Sequence, residues 1–548
     1  MITTPRTWIE ATTIGDLVDR RAHEDPDGES IVFPDRRLTF GDMAAASDRM
    51  AKGLIAAGVE HGDRVGYMLH DCPEALAIIY GAAKVGALAV PINNRFKAFE
   101  LRTVIGHAGI RVLVTAPTQS GPGATDFLTL LGDLIEGEDY PDLTTLVVLG
   151  DTPSGAFQAQ TDFEAAGDAI DDATLRQRAA AVRIRDAALV VYTSGTTAAP
   201  KGALISHEAF CRYGQGTVQR MALTDEDRIW TVLPLFHIGG IAFAIGSLYG
   251  GCAYVHSGRF DPTAVVAQLV AERCTIALPG FETIWLPVIG HDDFDAEATA
   301  LRIVLCVGVP ERLRKVQAAH PDASVVNCFG QTEACAFLSL ALPDDALEQR
   351  ITTGGHPMPG MEVRAVDPVT GQTVEPGELG EICYRGPNAF DGYFRDPDRT
   401  AEVFDDLGFF HTGDMGTVDA EGRVTFVSRL KDMLKVGGEN VAAAEVEGFL
   451  IGHPAVAMVN VVAAPDTRYG EVPAAFVQLA PGAALTEEEL VEFCRGQIAT
   501  FRVPRYVRFV DEWPMSGTKV KKYVLRERIA DELTSRGIRE APKITSGG

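Results

Sequence analysis

The residues best suited to chemistry lie close together at 193–202. Thr193, Ser194, Gly195, Thr196 and Thr197 end or follow the apolar, β-rich run ALVVYT, and Pro200, Lys201 and Gly202 close the segment. Hydroxyls and glycine-exposed backbone N–H groups donate to phosphate oxygens, and the Lys201 ammonium adds a positive charge. A plain polar turn needs neither the lysine nor so many donors, so the segment reads as a phosphate loop. Ser206 is placed to cap the helix that follows. The spacing is not that of the common nucleotide-kinase loop, because five residues separate Gly195 from Lys201 and Gly202 follows the lysine. No Gly-x-Ser-x-Gly elbow is present, which removes the α/β-hydrolase reading.

The charge balance sharpens the problem this loop must solve. Among 548 residues there are 49 Lys+Arg against 75 Asp+Glu, a formal charge of −26. Such a chain repels nucleic acid, and a phosphorylated ligand must be held by a few well-placed cations. Hydrophobic residues at 46% and charged ones at 23% give a globular composition and exclude a disordered or collagen-like chain. At roughly 150 residues per domain, the length allows three or four structural units.

The elements that must position the loop alternate along the chain. Segments 63–69, 87–92 and 110–116 read as strands, and 73–86 and 99–109 as helices, which favours α/β layers with parallel sheets. Residues 117–180 are less regular and read as loops and variable helices. The uncharged stretch 238–255 is broken by glycine pairs, so it reads as a buried helix followed by the strand CAYVH and not as a membrane span. Nine cysteines without a CxxC pair read as buried free thiols in a reducing compartment, not as a zinc site or disulfide framework. The N-terminus lacks the order of a signal peptide, and a cytoplasmic protein is expected. A boundary near 430 precedes a compact unit with helices at 442–453 and 486–498 and strands at 455–464 and 474–480.

With the loop YTSGTTAAPKGA in view, the sequence resembles the adenylate-forming superfamily, which includes acyl-CoA synthetases, peptide-synthetase adenylation domains and firefly luciferases. The resemblance runs over almost the whole chain. It implies an α/β fold with a large N-terminal AMP-binding and acyl-pocket domain (1–430) and a small mobile α+β C-terminal domain (431–548). In NCFGQTEA (327–334), Phe329 and Gly330 would meet adenine, Thr332 the α-phosphate, and Glu333 a Mg²⁺ that bridges phosphates. In CVGVPERL (306–313), Gly308, Val309 and Pro310 would pack against adenine, with Val307 where a second glycine is usual. Asp414 in HTGDMG would accept from the ribose hydroxyls, and Arg429 would bind ribose and phosphate. Lys519 matches the adenylation lysine, although Gly517 and Thr518 stand in exchanged order, and Lys521 and Lys522 are alternatives that otherwise read as a solvated helix face. Ala198 stands where glycine is usual.

The resemblance further implies two steps. An acid captures AMP from ATP and releases pyrophosphate, and a thiol, that of coenzyme A, then displaces AMP. Lys519, Glu333, Thr193, Lys201 and His237 are the candidate catalytic residues. Lys431 matches a hinge about which the small domain turns between the steps. His237, Lys435, Val436, Gly437 and Gly438 would line the thiol's tunnel, with a satisfied core histidine as the competing reading of His237. Ile238, Gly239, Ile241, Phe281, Trp285 and Val307 are the expected walls of the acyl pocket. Their apolar character points to a hydrophobic acid: fatty, cyclic or steroid-side-chain, then aryl. The alternative is a free-standing enzyme that loads an acyl or aminoacyl group onto a carrier protein, although FHIGGI (236–241) lacks the carboxylate expected to hold an α-ammonium. A nucleotide sensor without ligase activity is disfavoured by the joint presence of Lys201, Glu333, Asp414, Arg429 and Lys519. The expected partners are a small carboxylic acid, ATP, Mg²⁺ and coenzyme A, with no nucleic acid and no membrane span; a homodimer is compatible.

Overall fold

The computed structural model describes residues 12–117, 126–193, 200–437, 439–516 and 519–542. By compactness the chain divides into Met1–Val363 with Tyr384–Phe410, and Arg364–Cys383 with His411–Gly548. The larger unit is built on two seven-stranded sheets. One runs in the order Ser324–Val326, Ile303–Val307, Ile276–Phe281, Arg228–Thr231, Ala253–His256, Glu29–Val32, Arg37–Thr39. The other runs Gln158–Ala159, Thr145–Val148, Ile110–Thr115, Arg64–Met68, Leu88–Pro91, Ala187–Thr193, Lys201–Ser206. Each is parallel except for one antiparallel pair at an edge, which is Glu29–Val32 with Arg37–Thr39 in the first and Ala187–Thr193 with Lys201–Ser206 in the second.

The strands read as nearly continuous apolar runs because helices cover both faces of such sheets. Residues 112–115 of Ile110–Thr115 are all buried, for example. Pro73 opens the helix Pro73–Val85, where its missing N–H costs nothing, and Gly86 closes it in the left-handed region at φ 74. The stretch at 238–255 folds as expected, with the helix Ile238–Gly250 ended by Gly251 and followed by the strand Ala253–His256. No helix among the described residues is long and apolar enough to cross a membrane. None of the nine cysteines is in a disulfide, and all but Cys72 are buried. The irregular region yields two strands that were not expected, Thr145–Val148 and Gln158–Ala159, which extend the second sheet.

A four-stranded sheet orders Glu362–Val366, Gly380–Arg385, Phe410–Val418 and Val424–Arg429. Within the smaller unit, the long hairpin Val456–Asp466/Gly470–Leu479 is flanked by Met433–Val436 and, in parallel, by Tyr506–Phe509. One face of this sheet buries Val446 and Leu450 of the helix Ala443–Leu450 with Leu490 of Glu487–Cys494. The other face buries Leu525, Ile529 and Leu533 of Lys522–Ser535.

Candidate active site

In the larger unit, the two sheets bring three polar side chains to one point. Lys201 begins the strand Lys201–Ser206 and is paired in register with Thr193, the last residue of Ala187–Thr193. Glu333 lies in the short 3₁₀ turn Thr332–Ala334, beyond the strands of the first sheet. The Lys201 Nζ to Glu333 Oε1 distance is 3.3 Å, and the Glu333 side chain is 8% exposed. Tyr393 completes the group: its hydroxyl donates to Glu333 Oε1 at 2.9 Å and accepts from Lys201 Nζ at 2.5 Å. Burial, then the adjacent Glu333 carboxylate, drives the Tyr393 phenol far above its ordinary pKa, so it remains a donor.

Backbone pairing fixes Tyr393 in place. Leu204 N–H donates to Gly392 O, Phe394 N–H to Gly202 O and Asp391 N–H to Leu204 O, so 391–394 runs as an added edge beside Lys201–Ser206. Phe390 N–H donates to Glu333 O, which ties the same segment to the glutamate's backbone. Tyr393 was not singled out by sequence; its signal is weak, because an aromatic among Gly392, Phe394 and Phe390 reads as core.

The carboxyl ends of the first sheet's strands face the other expected residues, which is where ligands bind in open α/β sheets. Phe281 and Val307 are register partners at the ends of two adjacent strands, and both are partly exposed. Residues 307–310 form a half-buried run, and Pro310 opens the helix Pro310–Ala319. A Cβ at Gly308 would come within 2.4 Å of Glu282 Oε2, so the glutamate's carboxylate would have to move aside. Gly330 is held more tightly, because backbone Ala336 O lies 1.8 Å from a would-be Cβ. Phe329 is buried in the strand Cys328–Phe329, and Thr332 is buried beside Glu333. Cys335 and Ala336 follow at φ 53 and 84, a strained left-handed turn for residues with a Cβ.

Several expectations need correction. Trp285 has no accessible surface; it packs in the core with Trp230 and donates its indole N–H to His320 Nε2 at 3.1 Å, so it does not wall a pocket. Ile241 likewise has no exposed surface, and Ile238 and Gly239 are buried in the same helix. His237 is not a core histidine: its side chain is exposed, and its Nδ1 caps Ile238–Gly250 by accepting from Gly239 N–H at 3.1 Å.

In the smaller unit, Asp414 and Arg429 face each other across antiparallel strands, with Arg429 Nε 3.6 Å from Asp414 Oδ1. Asp414 is buried, whereas the Arg429 side chain is 47% exposed. Lys431 is exposed in the turn Leu430–Asp432. Lys435 is exposed on the strand Met433–Val436, and Gly437 takes φ 61 with its N–H bonded to Tyr469 O. Lys522 is not a freely solvated lysine, for its Nζ pairs with Glu447 Oε1 at 2.7 Å. Lys519 lies in the short strand Lys519–Val520. Ser194, Gly195, Thr196, Thr197, Ala198, Gly438, Gly517, Thr518 and the side chain of Lys519 lie outside the described residues.

Two observations fit a phosphate ligand carrying a hard cation. Thr193 Oγ1 is buried with no hydrogen-bond partner among the described residues, as a hydroxyl reserved for a ligand would be. Glu333 engages its Oε1 with Tyr393 and Lys201, and its Oε2 has no partner among the described residues, leaving a carboxylate oxygen of the type magnesium takes.

Comparison with known proteins follows the same lines. The AMP-binding enzyme model matches residues 18–394, and the AMP-binding enzyme C-terminal domain model matches 445–520. The chain is 34% identical over 526 residues to the 3-[(3aS,4S,7aS)-7a-methyl-1,5-dioxo-octahydro-1H-inden-4-yl]propanoyl:CoA ligase of Rhodococcus jostii, covering 94% of this chain and 99% of that protein. It is 32% identical over 521 residues to the indoleacetate–CoA ligase of Aromatoleum aromaticum, covering 94% and 98%. ATP-bound MatB from Rhodopseudomonas palustris has the same fold, with a TM-score of 0.81 at 26% identity over 94% of this chain and 99% of that one.

Proposed function

Because this chain belongs to the AMP-binding enzyme family of acid-activating, adenylate-forming ligases, we propose that it joins a hydrophobic carboxylic acid to coenzyme A. The observation that carries the reading is the Lys201–Glu333–Tyr393 group, a buried carboxylate and a cation held where the two sheets present their strand ends.

A free carboxylate is a poor acyl electrophile because its charge repels a nucleophile. In the first step its oxygen attacks the α-phosphorus of ATP, the bond to the β-phosphate oxygen breaks, and pyrophosphate leaves. In the second, the thiol of coenzyme A loses its proton, its sulfur attacks the acyl carbon, and AMP departs with the electrons of the broken anhydride bond. Magnesium, when bound, neutralises charge on the phosphate oxygens, and Glu333 is the residue that would hold it.

The chain's own residues supply the rest. Thr193, Ser194, Gly195, Thr196, Thr197 and Lys201 bind the departing phosphates, and Thr332 donates to the α-phosphate. Lys201 exchanges its contact with Glu333 for phosphate oxygens, while Tyr393 keeps Glu333 in position. Phe329 and Gly330, with Gly308, Val309 and Pro310, enclose adenine; Asp414 accepts from the ribose, and Arg429 holds ribose and phosphate. Lys519 neutralises charge building during adenylation. Rotation at Lys431 then carries residues 431–548 to a second position, in which Lys435, Gly437 and Gly438 with His237 border the path of the thiol.

Phe281 and Val307 are retained as the acyl contacts. Their bulk, and the ring-bearing acids named for the two relatives, favour a cyclic or aryl hydrophobic acid over a straight-chain one. A panel of acids incubated with enzyme, ATP, magnesium and coenzyme A tests the reading. AMP release should require both acid and thiol, with bicyclic and arylalkanoic acids used at least about tenfold better than acetate or malonate, because each apolar group brought against Phe281 and Val307 adds to discrimination. Preference for the small polar acids would defeat the substrate assignment, and AMP release indifferent to coenzyme A would defeat the acceptor.

A further inference from the structure

Away from the phosphate loop, the smaller unit gathers three metal-ligating groups of different chemistry. Glu381 and Cys383 are two residues apart on the strand Gly380–Arg385, and so point to the same face. His411 is on the neighbouring strand, Phe410–Val418. His411 Nδ1 is 2.9 Å from Glu381 Oε2 and 3.4 Å from Cys383 Sγ, and one ligand atom from each residue lies within 4.8 Å of the others.

Without a cation, the Glu381–His411 pair and the donation of the Cys383 thiol to Glu381 O at 3.7 Å hold the cluster together. The carboxylate, thiol and imidazole are also three ligand types that one zinc-class cation takes together. Tetrahedral zinc, with Zn–S about 2.3 Å, Zn–N about 2.0–2.1 Å and Zn–O about 2.0–2.2 Å, needs S···N near ~3.6 Å and N···O near ~3.3 Å. The observed 3.4 and 2.9 Å fall short of these edges by a few tenths of an ångström, a gap that small side-chain rotations close. The Glu381 side chain is 9% exposed and that of His411 30%, so the cluster is largely sheltered while the histidine keeps a path to solvent. Glu381 is already held in place, since its Oε1 accepts from Gly413 N–H at 2.8 Å and leaves Oε2 to the cluster.

We propose that Glu381, Cys383 and His411 form a binding site for one thiophilic divalent cation of the zinc class. On binding, the Cys383 thiol gives up its proton to solvent, and Cys383 Sγ, Glu381 Oε2 and Nδ1 of the His411 imidazole, with its proton on Nε2, become ligands. The cation clamps the two strands and, through Glu381 and Gly413, steadies the turn that ends at Asp414. The cluster was invisible to spacing rules, because His411 lies 28 positions after Cys383 and only strand pairing brings them together. The site stands on the cluster alone and does not depend on the substrate or on the role of Asp414.

Cobalt(II) chloride titrated into metal-free, full-length protein tests the proposal without reference to activity. The wild type should develop a thiolate-to-cobalt charge-transfer band and tetrahedral ligand-field bands that saturate at one equivalent, and zinc should abolish them. Cys383→Ser should lose the charge-transfer band although eight other cysteines remain. His411→Gln, which keeps the thiol, should bind cobalt at least about tenfold more weakly, since even outer-shell losses cost that much. The second variant decides the matter should the first fail to fold. No band in the wild type at stoichiometric cobalt, or a band that survives both substitutions unchanged, would overturn the site.

Discussion

Glu333 Oε1 is shared by two donors, one a charged lysine and one a phenol that burial keeps protonated. Removing the phenol oxygen should let the carboxylate turn away from the position it needs. Tyr393→Phe should lower kcat/KM for acid-dependent ATP–pyrophosphate exchange by roughly 10- to 100-fold, the scale of a lost hydrogen bond to a charged group. An unchanged rate would reduce Tyr393 to a packing residue. Glu333→Gln should cost about 10²–10³ in the same assay, as removal of a preorganised charge does. The contrast between these residues marks how far sequence reaches at this scale. Glu333 was legible because it follows Thr332 in a segment with a chemical pattern. Tyr393 was not, because its role depends on an edge pairing with residues 202–204 that lie far away in the chain. Trp285 was misplaced for a related reason: an apolar residue after a strand end can face a pocket or the core, and only packing chooses.

At the scale of elements, the strands and helices between 63 and 116 were readable, since parallel strands covered on both faces are written as apolar runs. The short strands at 145–148 and 158–159 were not, because runs of four and two residues in an irregular segment carry little periodic signal. The turn after Phe329 shows what the reading could not price. Gly330 must be glycine because Ala336 O lies 1.8 Å from the place of a Cβ, and Cys335 and Ala336 beside it take positive φ. Gly330→Ala should therefore destabilise the protein by about 1–3 kcal/mol, the usual cost of overpacking, and thermal unfolding would register it as a lower midpoint. No shift in the midpoint would mean the turn relaxes freely. The core beneath the first sheet makes a separate prediction about acid. His320 accepts from Trp285 as neutral imidazole, and burial lowers its pKa from 6.5 to about 4. Above pH 6.5 the stabilisation is fully present; as pH falls toward 4, the unfolded chain takes up a proton that the folded one refuses, and up to about 3 kcal/mol is lost. His320→Gln, which keeps an acceptor for the indole, should flatten the fall in unfolding free energy between pH 6.5 and 4. An equally steep fall in the variant would remove His320 as its source.

At the scale of the whole molecule, a chain of net charge −26 must meet a polyanion with cations placed at the ligand itself, because its average field repels one. One lysine beside the α-phosphate would assist adenylation and then stand in the way of a thiol, which is why two arrangements of the small C-terminal domain are proposed. The two half-reactions should then separate by mutation. Lys519→Ala should abolish formation of acyl-AMP while sparing thioester formation from supplied acyl-AMP, and Lys431→Pro should do the reverse. Equal loss of both steps in both variants, at unchanged melting temperature, would sink the two-arrangement proposal. The more basic claim is that this enzyme transfers AMP to a hydrophobic acid before any thiol is involved. The direct measurement is exchange of labelled pyrophosphate into ATP with coenzyme A omitted, across bicyclic, arylalkanoic, fatty and small polar acids. Exchange that appears only with acid present, and is fastest for a hydrophobic ring-bearing acid, is the expected result; no exchange with any acid, from folded enzyme that still binds ATP, would contradict the account.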